Sequence, residues 1–272
     1  SDLGVGIADP EGEGPYPAVT VDPKTGEVRP FSFRISYTDP YQGKVMADYF
    51  VNRLGVKKAA IIKDVGSDYS EGLTEFFNAR FEELGGELTG EWGFRSGDVD
   101  FRAQLTEMKA SGAEAVALPL LYKEMALIMK QAAELDWKPL YIGGDGFSPN
   151  MLEIAGDAME GSYWVYSMDL NNPQLILLLS RFEKEYGRPA TEPSNVANAY
   201  DLIVWVAEAI KKAGSDDPVA IKDAMENIKN LRLVHFNLTV DKATHNPLNK
   251  VAVIIRAEGM EFKLHLKFAP SD

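Results

Sequence analysis

Short apolar runs alternate with amphipathic stretches between residues 33 and 168. The runs are rich in small and β-branched residues, and they span residues 59–62, 86–92, 115–118 and 140–142. Their starts are 25 to 29 residues apart, which is about what one strand, one loop and one crossover helix occupy. The pattern therefore predicts parallel strands that are joined by helices.

The stretches between these runs have helical periodicity. Apolar side chains recur every three or four positions, as at Leu73, Phe76, Phe77 and Leu84. Alternating strands and helices favour a parallel sheet that is covered on both faces and connected by right-handed crossovers. We therefore predict an α/β fold with a doubly wound parallel sheet over residues 33–168.

The pattern changes after this domain. Three helices are predicted next, over residues 174–186, 195–213 and 218–228. Strands return over residues 232–240, 250–256 and 261–268, and the Glu258-Gly259 turn predicts that the last two strands form a hairpin. The chain is thus divided into an irregular N-terminal segment (1–32), the α/β domain (33–168), a helical segment (169–230) and C-terminal strands (231–272).

Composition narrows the function classes. The chain has 41 Asp and Glu against 28 Lys and Arg, a net charge of −13, which disfavours binding to nucleic acid or to anionic membranes. It has no cysteine, so disulfides, thiolate metal sites and cysteine nucleophiles are excluded. No apolar stretch reaches the roughly 18 residues that span a bilayer. No secretory signal is recognised, so we expect a mature form if the protein is exported.

Ligand-binding residues are expected at the carboxyl ends of the predicted parallel strands. Tyr69, Tyr122 and Asp145 follow three of these ends. Tyrosine offers a rigid apolar face with a polar tip, and a carboxylate beside glycines can accept hydrogen bonds from an ammonium group. An aspartate between glycines is also a common turn former, so backbone geometry alone equally explains this position.

Signals of catalysis are weak. The histidines at 235, 245 and 265 fall in the predicted C-terminal strand region, and two of them alternate with apolar residues, which predicts strand positions that face solvent. The sequence contains no pair of histidines at the spacing typical of metal ligands. It also contains neither the Gly-x-Ser-x-Gly motif of a nucleophile elbow nor a phosphate-binding loop. We therefore predict that the protein is not an enzyme and that it uses no metal or cofactor.

Several short motifs follow one another in a specific order and spacing. They include FRISYTD at 33–39, DYSEGL at 68–73, YKEM at 122–125, GGDG at 143–146 and NAYD at 198–201. Together they resemble the type I periplasmic (solute) binding proteins, and the branched-chain amino acid (Leu/Ile/Val) binding branch is most similar. The resemblance covers about residues 19 to 268.

In that family two α/β lobes close on an amino acid. The resemblance implies that Tyr69, Tyr122 and Asp145 are second-lobe ligand contacts, with Asp145 at the position of an acid that holds the ammonium group of the ligand. It implies that Tyr200 is a first-lobe aromatic near the cleft. It also implies an ABC permease as partner and a periplasmic or extracellular location.

The chain departs from the family before Phe33. Relatives carry a first-lobe sheet there, whereas only 32 residues precede Phe33 in this chain. Residues 33–168 then correspond to the ligand-binding second lobe, and residues 169–230 to a helical remnant of the first. We expect binding of free branched-chain amino acids to be weak or lost, and truncation, re-engineering and natural loss of a lobe all remain open as explanations.

Three function classes are therefore carried forward. The first is the substrate-binding component of an ABC-type importer, the second is a non-transport sensor or interaction module, and the third is an enzyme on a doubly wound sheet. An assembly is expected because one face of the second predicted helix is strongly apolar, and such faces are rarely left open in soluble monomers. We therefore predict a homodimer or a domain-swapped oligomer. The apolar face comprises Val196, Tyr200, Ile203, Val204, Ala207 and Ile210.

Overall fold

A computed structural model describes residues 4–6, 20–22, 25–248 and 250–268 of the chain. The chain forms two compact units, each built from two separate stretches of sequence. The helical unit comprises Ser1–Tyr37 and Asn172–Lys250, and the sheet unit comprises Thr38–Asn171 and Val251–Asp272. Within the described ranges, every helix is too short or too polar to cross a membrane.

The strands of the described residues fall into one large sheet and two small ones. In chain order they are β1 (Gly4–Gly6), β2 (Ser32–Arg34), β3 (Lys58–Asp64), β4 (Glu87–Phe94), β5 (Ala115–Leu118), β6 (Leu140–Gly143), β7 (Tyr163–Tyr166), β8 (Leu231–Arg232), β9 (Asn237–Leu238), β10 (Ala252–Glu258) and β11 (Glu261–Phe268). The helices are α1 (Asp39–Asp48), α2 (Asp68–Glu83), α3 (Arg102–Ala110), α4 (Tyr122–Glu134), α5 (Met151–Ala155), α6 (Pro173–Tyr186), α7 (Pro193–Ala213) and α8 (Pro218–Glu226). A π-helical turn, Tyr49–Arg53, follows α1, and a 3₁₀ turn, Gly156–Met159, follows α5.

The sheet unit contains a seven-stranded sheet with the order β11-β10-β7-β6-β5-β3-β4. The strands from β7 to β4 are parallel, and β10 and β11 add antiparallel strands beyond β7. Every residue of the central strand β5 is buried, as expected for a parallel strand that is covered on both faces. The predicted α/β fold with a mostly parallel sheet is confirmed.

The sheet extends further along the chain than the sequence pattern indicated. Strand β7 was not predicted, although Tyr163–Tyr166 is a short continuous apolar run and is buried throughout. Strands β10 and β11 form the predicted hairpin, and Ile254 pairs with Val165 of β7. Strands β10 and β11 therefore belong to the large sheet. Each compact unit combines two separate stretches of the chain, whereas the sequence analysis divided the chain into four consecutive segments.

Two local features hold α1 against α2. Gly43 has no room for a side chain, because a Cβ there would lie 2.8 Å from the backbone nitrogen of Phe77. The buried carboxylate of Asp48 pairs with Arg80, with Nε to Oδ2 at 2.8 Å and Nη2 to Oδ1 at 3.2 Å. This bidentate pair links the C-terminal end of α1 to the last turn of α2.

The helical unit has its own apolar core. The inward face of α7 buries Leu202, Trp205 and Ala209 beside Phe33 of β2, and the rings of Trp205 and Phe33 meet edge to face at 5.5 Å. The outward face of the same helix exposes Tyr200, Ile203 and Ile210. Trp205, which is not on the apolar face identified in the sequence, is thus part of the core. Part of that apolar face is instead exposed to solvent.

The solvent-facing position predicted from alternation is wrong for His235, and His245, which lies outside the predicted strands, is buried as well. His245 is fully buried, stacks on Phe33 at 4.0 Å, and is bonded through its ring nitrogens to Ser32 O and Glu226 Oε1. The side chain of His235 is 3% exposed, whereas His265 on β11 is exposed. The predicted strand over residues 232–240 is broken into β8 and β9, which form a short hairpin and turn His235 inward.

We predict that Arg80→Met lowers the free energy of unfolding by about 3 to 5 kcal/mol, because it leaves the Asp48 carboxylate buried without its guanidinium partner. Arg102→Met is the matched control, since Arg102 pairs with Asp100 and Glu134 at the surface, where a pair contributes about 1 kcal/mol or less. Urea unfolding followed by circular dichroism measures both variants. Equal losses for the two variants would contradict this account.

Candidate functional site

Asp145 lies at the carboxyl end of the parallel strands, two residues after the end of β6. Its Oδ1 atom accepts hydrogen bonds from Nε2 of Gln42 at 3.0 Å and from the hydroxyl of Tyr69 at 3.1 Å. Among the described residues, Oδ2 accepts no hydrogen bond, and the residue is only partly buried. One carboxylate oxygen is therefore fixed by the protein, and the other is left for a donor from outside.

The two residues that fix Asp145 also hold the turn around it. Gln42 is almost fully buried, and its Oε1 atom accepts from the backbone N–H of Asp145 at 2.5 Å. The hydroxyl oxygen of Tyr69 accepts from the backbone N–H of Gly146 at 3.3 Å. These bonds set both the position of the Asp145 carboxylate and the path of its main chain.

The electrostatics around Tyr69 favour a cation. Burial raises the pKa of the Tyr69 hydroxyl well above its usual value, and the charge of Asp145 and a smaller effect of Asp39 raise it further. The hydroxyl therefore keeps its proton at physiological pH and remains a donor to Asp145. Two carboxylates near one protonated phenol form a locally negative environment that suits an ammonium group.

Glycines on either side of Asp145 are required by close contacts. A Cβ at Gly144 would lie 2.1 Å from Oε1 of Gln42 and 2.6 Å from the hydroxyl oxygen of Tyr69. A Cβ at Gly146 would lie 2.2 Å from the carbonyl oxygen of Leu120. The glycines thus do more than form a turn, because they allow the loop after β6 to touch α1, α2 and the loop after β5.

The other predicted site residues lie outside this hydrogen-bonded cluster. Tyr122 is the first residue of α4, is partly buried, and has the Lys123 ammonium 5.8 Å from its ring centre. Tyr200 is 48% exposed and belongs to α7 of the helical unit. The structure therefore brings Tyr69 and Asp145 into direct contact, and the ligand roles of all four residues stay predictions.

Gln42 is the site residue that the sequence analysis missed. It lies on α1 rather than after a strand, so the rule that ligands bind at strand ends gives it no weight. It is brought to Asp145 by the packing of α1 on α2 at Gly43. The only sequence signal was the Gln-Gly pair itself, which places a polar side chain next to a residue that permits a close helix contact.

The cavity beside Tyr69 is small. It measures about 30 Å³ and is lined in part by Ser96, Leu121 and Glu124, which is room for about one water molecule. Among the described residues there is no cluster of three or more His, Asp or Glu side chains suited to a metal ion. The chemistry that the cluster offers is hydrogen bonding to a cationic donor at Oδ2 of Asp145.

Comparison with known proteins places the chain in a family. A family model described as "Periplasmic binding protein" matches residues 13–257, which is most of the chain. The chain belongs to the periplasmic binding protein family. The matched range includes all three residues of the Asp145 cluster, Gln42, Tyr69 and Asp145.

Curated relatives of this periplasmic binding protein point to one branch. The chain is 31% identical over 213 residues to Leu/Ile/Val-binding protein homolog 1 of Brucella suis, covering 78% of the chain and 56% of the relative. It is 27% identical over 213 residues to the leucine-, isoleucine-, valine-, threonine- and alanine-binding protein of Pseudomonas aeruginosa, covering 77% and 56%. The chain thus spans about half the length of these relatives. They are solute-binding proteins, which agrees with the prediction that the chain is not an enzyme.

Solved structures agree with this placement. A leucine binding protein, LivK, from Thermotoga maritima superimposes with a TM-score of 0.80 at 30% identity, covering 92% of this chain and 71% of that protein. The branched-chain amino acid transporter substrate binding protein LivJ from Streptococcus pneumoniae, solved with isoleucine, gives 0.78 at 26% identity, covering 89% and 68%. The predicted resemblance to the branched-chain amino acid binding proteins is confirmed.

We predict that Gly144→Ala disrupts the Asp145 cluster, because the added methyl group overlaps the side chains of Gln42 and Tyr69. The expected loss is about 1 to 3 kcal/mol in the free energy of unfolding, as for other overpacked sites. Gly72→Ala is the matched control, since a Cβ there meets nothing closer than 4.0 Å and alanine is favoured within a helix. Urea unfolding compares the two, and an unchanged midpoint for Gly144→Ala would contradict the close contact.

Proposed function

We propose that the chain is part of the substrate-binding component of an ABC-type importer for branched-chain or similar small amino acids. In this role it works in the periplasm or outside the cell and delivers its ligand to an ABC permease. The observation that carries the proposal is the Asp145 carboxylate, which Gln42 and Tyr69 hold with Oδ2 open at the carboxyl edge of the sheet. The names of the relatives support the class of ligand.

The ammonium group of the amino acid is the part that this cluster recognises. Oδ2 of Asp145 accepts one of its three N–H groups, and the locally negative environment of Asp39 and Asp145 favours its charge. One hydrogen bond between charged groups contributes about 1.5 to 3 kcal/mol, so this chain alone should bind with a dissociation constant of roughly a few to tens of millimolar. The small cavity of the sheet unit fits this expectation, since its volume of about 30 Å³ is too small to enclose an amino acid.

NMR titration of the isotope-labelled chain tests this proposal. We expect leucine and 3-methylbutylamine to shift the backbone amides of Gly144, Asp145 and Gly146 with saturation in the millimolar range. We expect 4-methylpentanoate, which lacks the ammonium group, to leave these amides unchanged. Asp145→Asn should weaken leucine binding about tenfold or more, because it removes the negative acceptor.

Asp157→Asn is the matched control, because Asp157 is exposed and lies elsewhere in the sheet unit. It removes the same charge and should leave the titration unchanged. Equal shifts with 4-methylpentanoate, or equal effects of the two variants, would argue against ammonium recognition at Asp145. Submicromolar binding of leucine would contradict the expectation that this chain binds weakly.

A second candidate function is that of a non-transport sensor or interaction module. It is favoured by the outward face of α7, where Tyr200, Ile203 and Ile210 are 48%, 71% and 41% exposed. Large apolar side chains grouped on one helix face are a common mark of a protein interface. In this candidate function two copies associate through that face as a homodimer or by exchange of elements.

We predict that light scattering at tens of micromolar shows twice the mass of one chain, and that Ile203→Glu restores the monomer by placing a charge in the apolar face. Val99→Glu is the control, because Val99 is 68% exposed in the sheet unit and should not affect association. A well-folded wild-type monomer at this concentration would exclude the assembly.

A further inference from the structure

Three buried polar side chains lie close together in the helical unit, apart from the Asp145 cluster. His235, in the turn between β8 and β9, has a side chain that is only 3% exposed. Asp201 of α7 is fully buried, and Lys250 is almost fully buried. We call these three residues the His235 cluster.

The surroundings of the His235 ring suit its neutral form. Both ring nitrogens are buried, and in the described part of the chain neither makes a hydrogen bond. Nδ1 lies 3.4 Å from Oδ2 of Asp201, so this carboxylate faces one ring nitrogen. A charged ring would carry a second N–H at Nε2, and that donor would be buried without an acceptor, which is costly.

Lys250 opposes a second positive charge in this cluster. Its Nζ atom donates to the carbonyl oxygen of Ile35 at 2.9 Å and to Oδ1 of Asn198 at 3.3 Å, which fixes the ammonium inside the unit. Burial has the largest effect on the ring and lowers the pKa of His235 below its usual value. The contact with Asp201 raises that pKa, and the charge of Lys250 lowers it again.

Neighbouring elements bring no further charge to the ring. Arg232, the charged residue of β8, is exposed. The residues from the start of α6 that lie beside the hairpin, Asn172 and Gln174, are uncharged. The closed hairpin therefore holds His235 as a neutral imidazole.

The hairpin is held closed by contacts on both sides of His235. Leu233 and Leu238 belong to the apolar core of the helical unit. The backbone N–H of Val234 donates to Oδ1 of Asp201 at 2.9 Å. Because the ring nitrogens are buried beside these contacts, solvent reaches them when the contacts open.

We propose that protonation of His235 opens the β8–β9 hairpin, so that this hairpin is an acid-sensitive closure of the helical unit. One proton passes from solvent to the ring as the hairpin leaves α7, and the imidazolium then remains in water. The ring is neutral in the closed form, whereas in the open form it becomes charged below about pH 6.5. The closed form therefore loses stability as the pH falls below that value, and it keeps its full stability above it.

Hydrogen exchange of the Val234 amide, read by NMR on the full chain, tests this proposal. This N–H is bonded to Asp201 in the closed form, so its protection reports the opening of the hairpin. We expect its protection factor, corrected for the intrinsic exchange rate, to fall about tenfold between pH 7.5 and pH 5.5. A fall of this size is what the uptake of one proton on opening requires.

Two histidine variants separate His235 from other titrating groups. His235→Gln should remove the fall in protection, because glutamine takes up no proton. His265→Gln is the matched control, since His265 is exposed on β11 and lies in the sheet unit, and it should show the same fall as the wild type. Equal falls in wild type and His235→Gln, or constant protection of the wild type, would overturn the proposal. A rise in protection at pH 5.5 would also overturn it, because it would show an imidazolium paired with Asp201.

A measurement on the wild type decides the matter if His235→Gln does not fold. The ring resonances of His235 can be assigned through bonds from its own backbone. We expect them to stay at the position of a neutral imidazole at pH 5.5 in the closed form. Resonances at the imidazolium position in the closed form would overturn the proposal.

Discussion

The absence of a side chain at Gly144 allows the polar edge of the sheet unit to form. The loop after β6 can approach Gln42 and Tyr69 only because no Cβ intervenes, since that atom would lie 2.1 Å from one and 2.6 Å from the other. This approach lets a single carboxylate, Asp145, receive donors from two different helices. The hydrogen-bonding geometry of the cluster is therefore a consequence of backbone proximity.

The cluster also depends on how α1 and α2 are held together. Gln42 comes from the first of these helices and Tyr69 from the second, so their relative position fixes where the donors point. The close contact at Gly43 and the buried pair between Asp48 and Arg80 lock that position. A buried ion pair adds little net stability, but it disfavours alternative packings in which one charge is left alone.

The sequence predicted those parts of the protein that follow from local periodicity. Tyr69 and Asp145 were found because each follows a strand of the parallel sheet, and parallel strands bring their carboxyl ends to one edge. Gln42 was missed because its role arises from the packing of two helices. The burial of His235 and His245 was also missed, because it arises from the turn between β8 and β9 and from the contacts of His245 with Phe33 and Glu226, which a local pattern does not contain.

The central claim is that Asp145 is oriented by the protein to receive the ammonium group of an amino acid. A crystal structure of this chain grown or soaked with leucine at several times its dissociation constant tests it most directly. The account predicts electron density for the ligand nitrogen at about 3 Å from Oδ2 of Asp145, with Gln42 and Tyr69 still bonded to Oδ1. Leucine bound with its ammonium group on other residues, while only solvent lies at Oδ2, would contradict it.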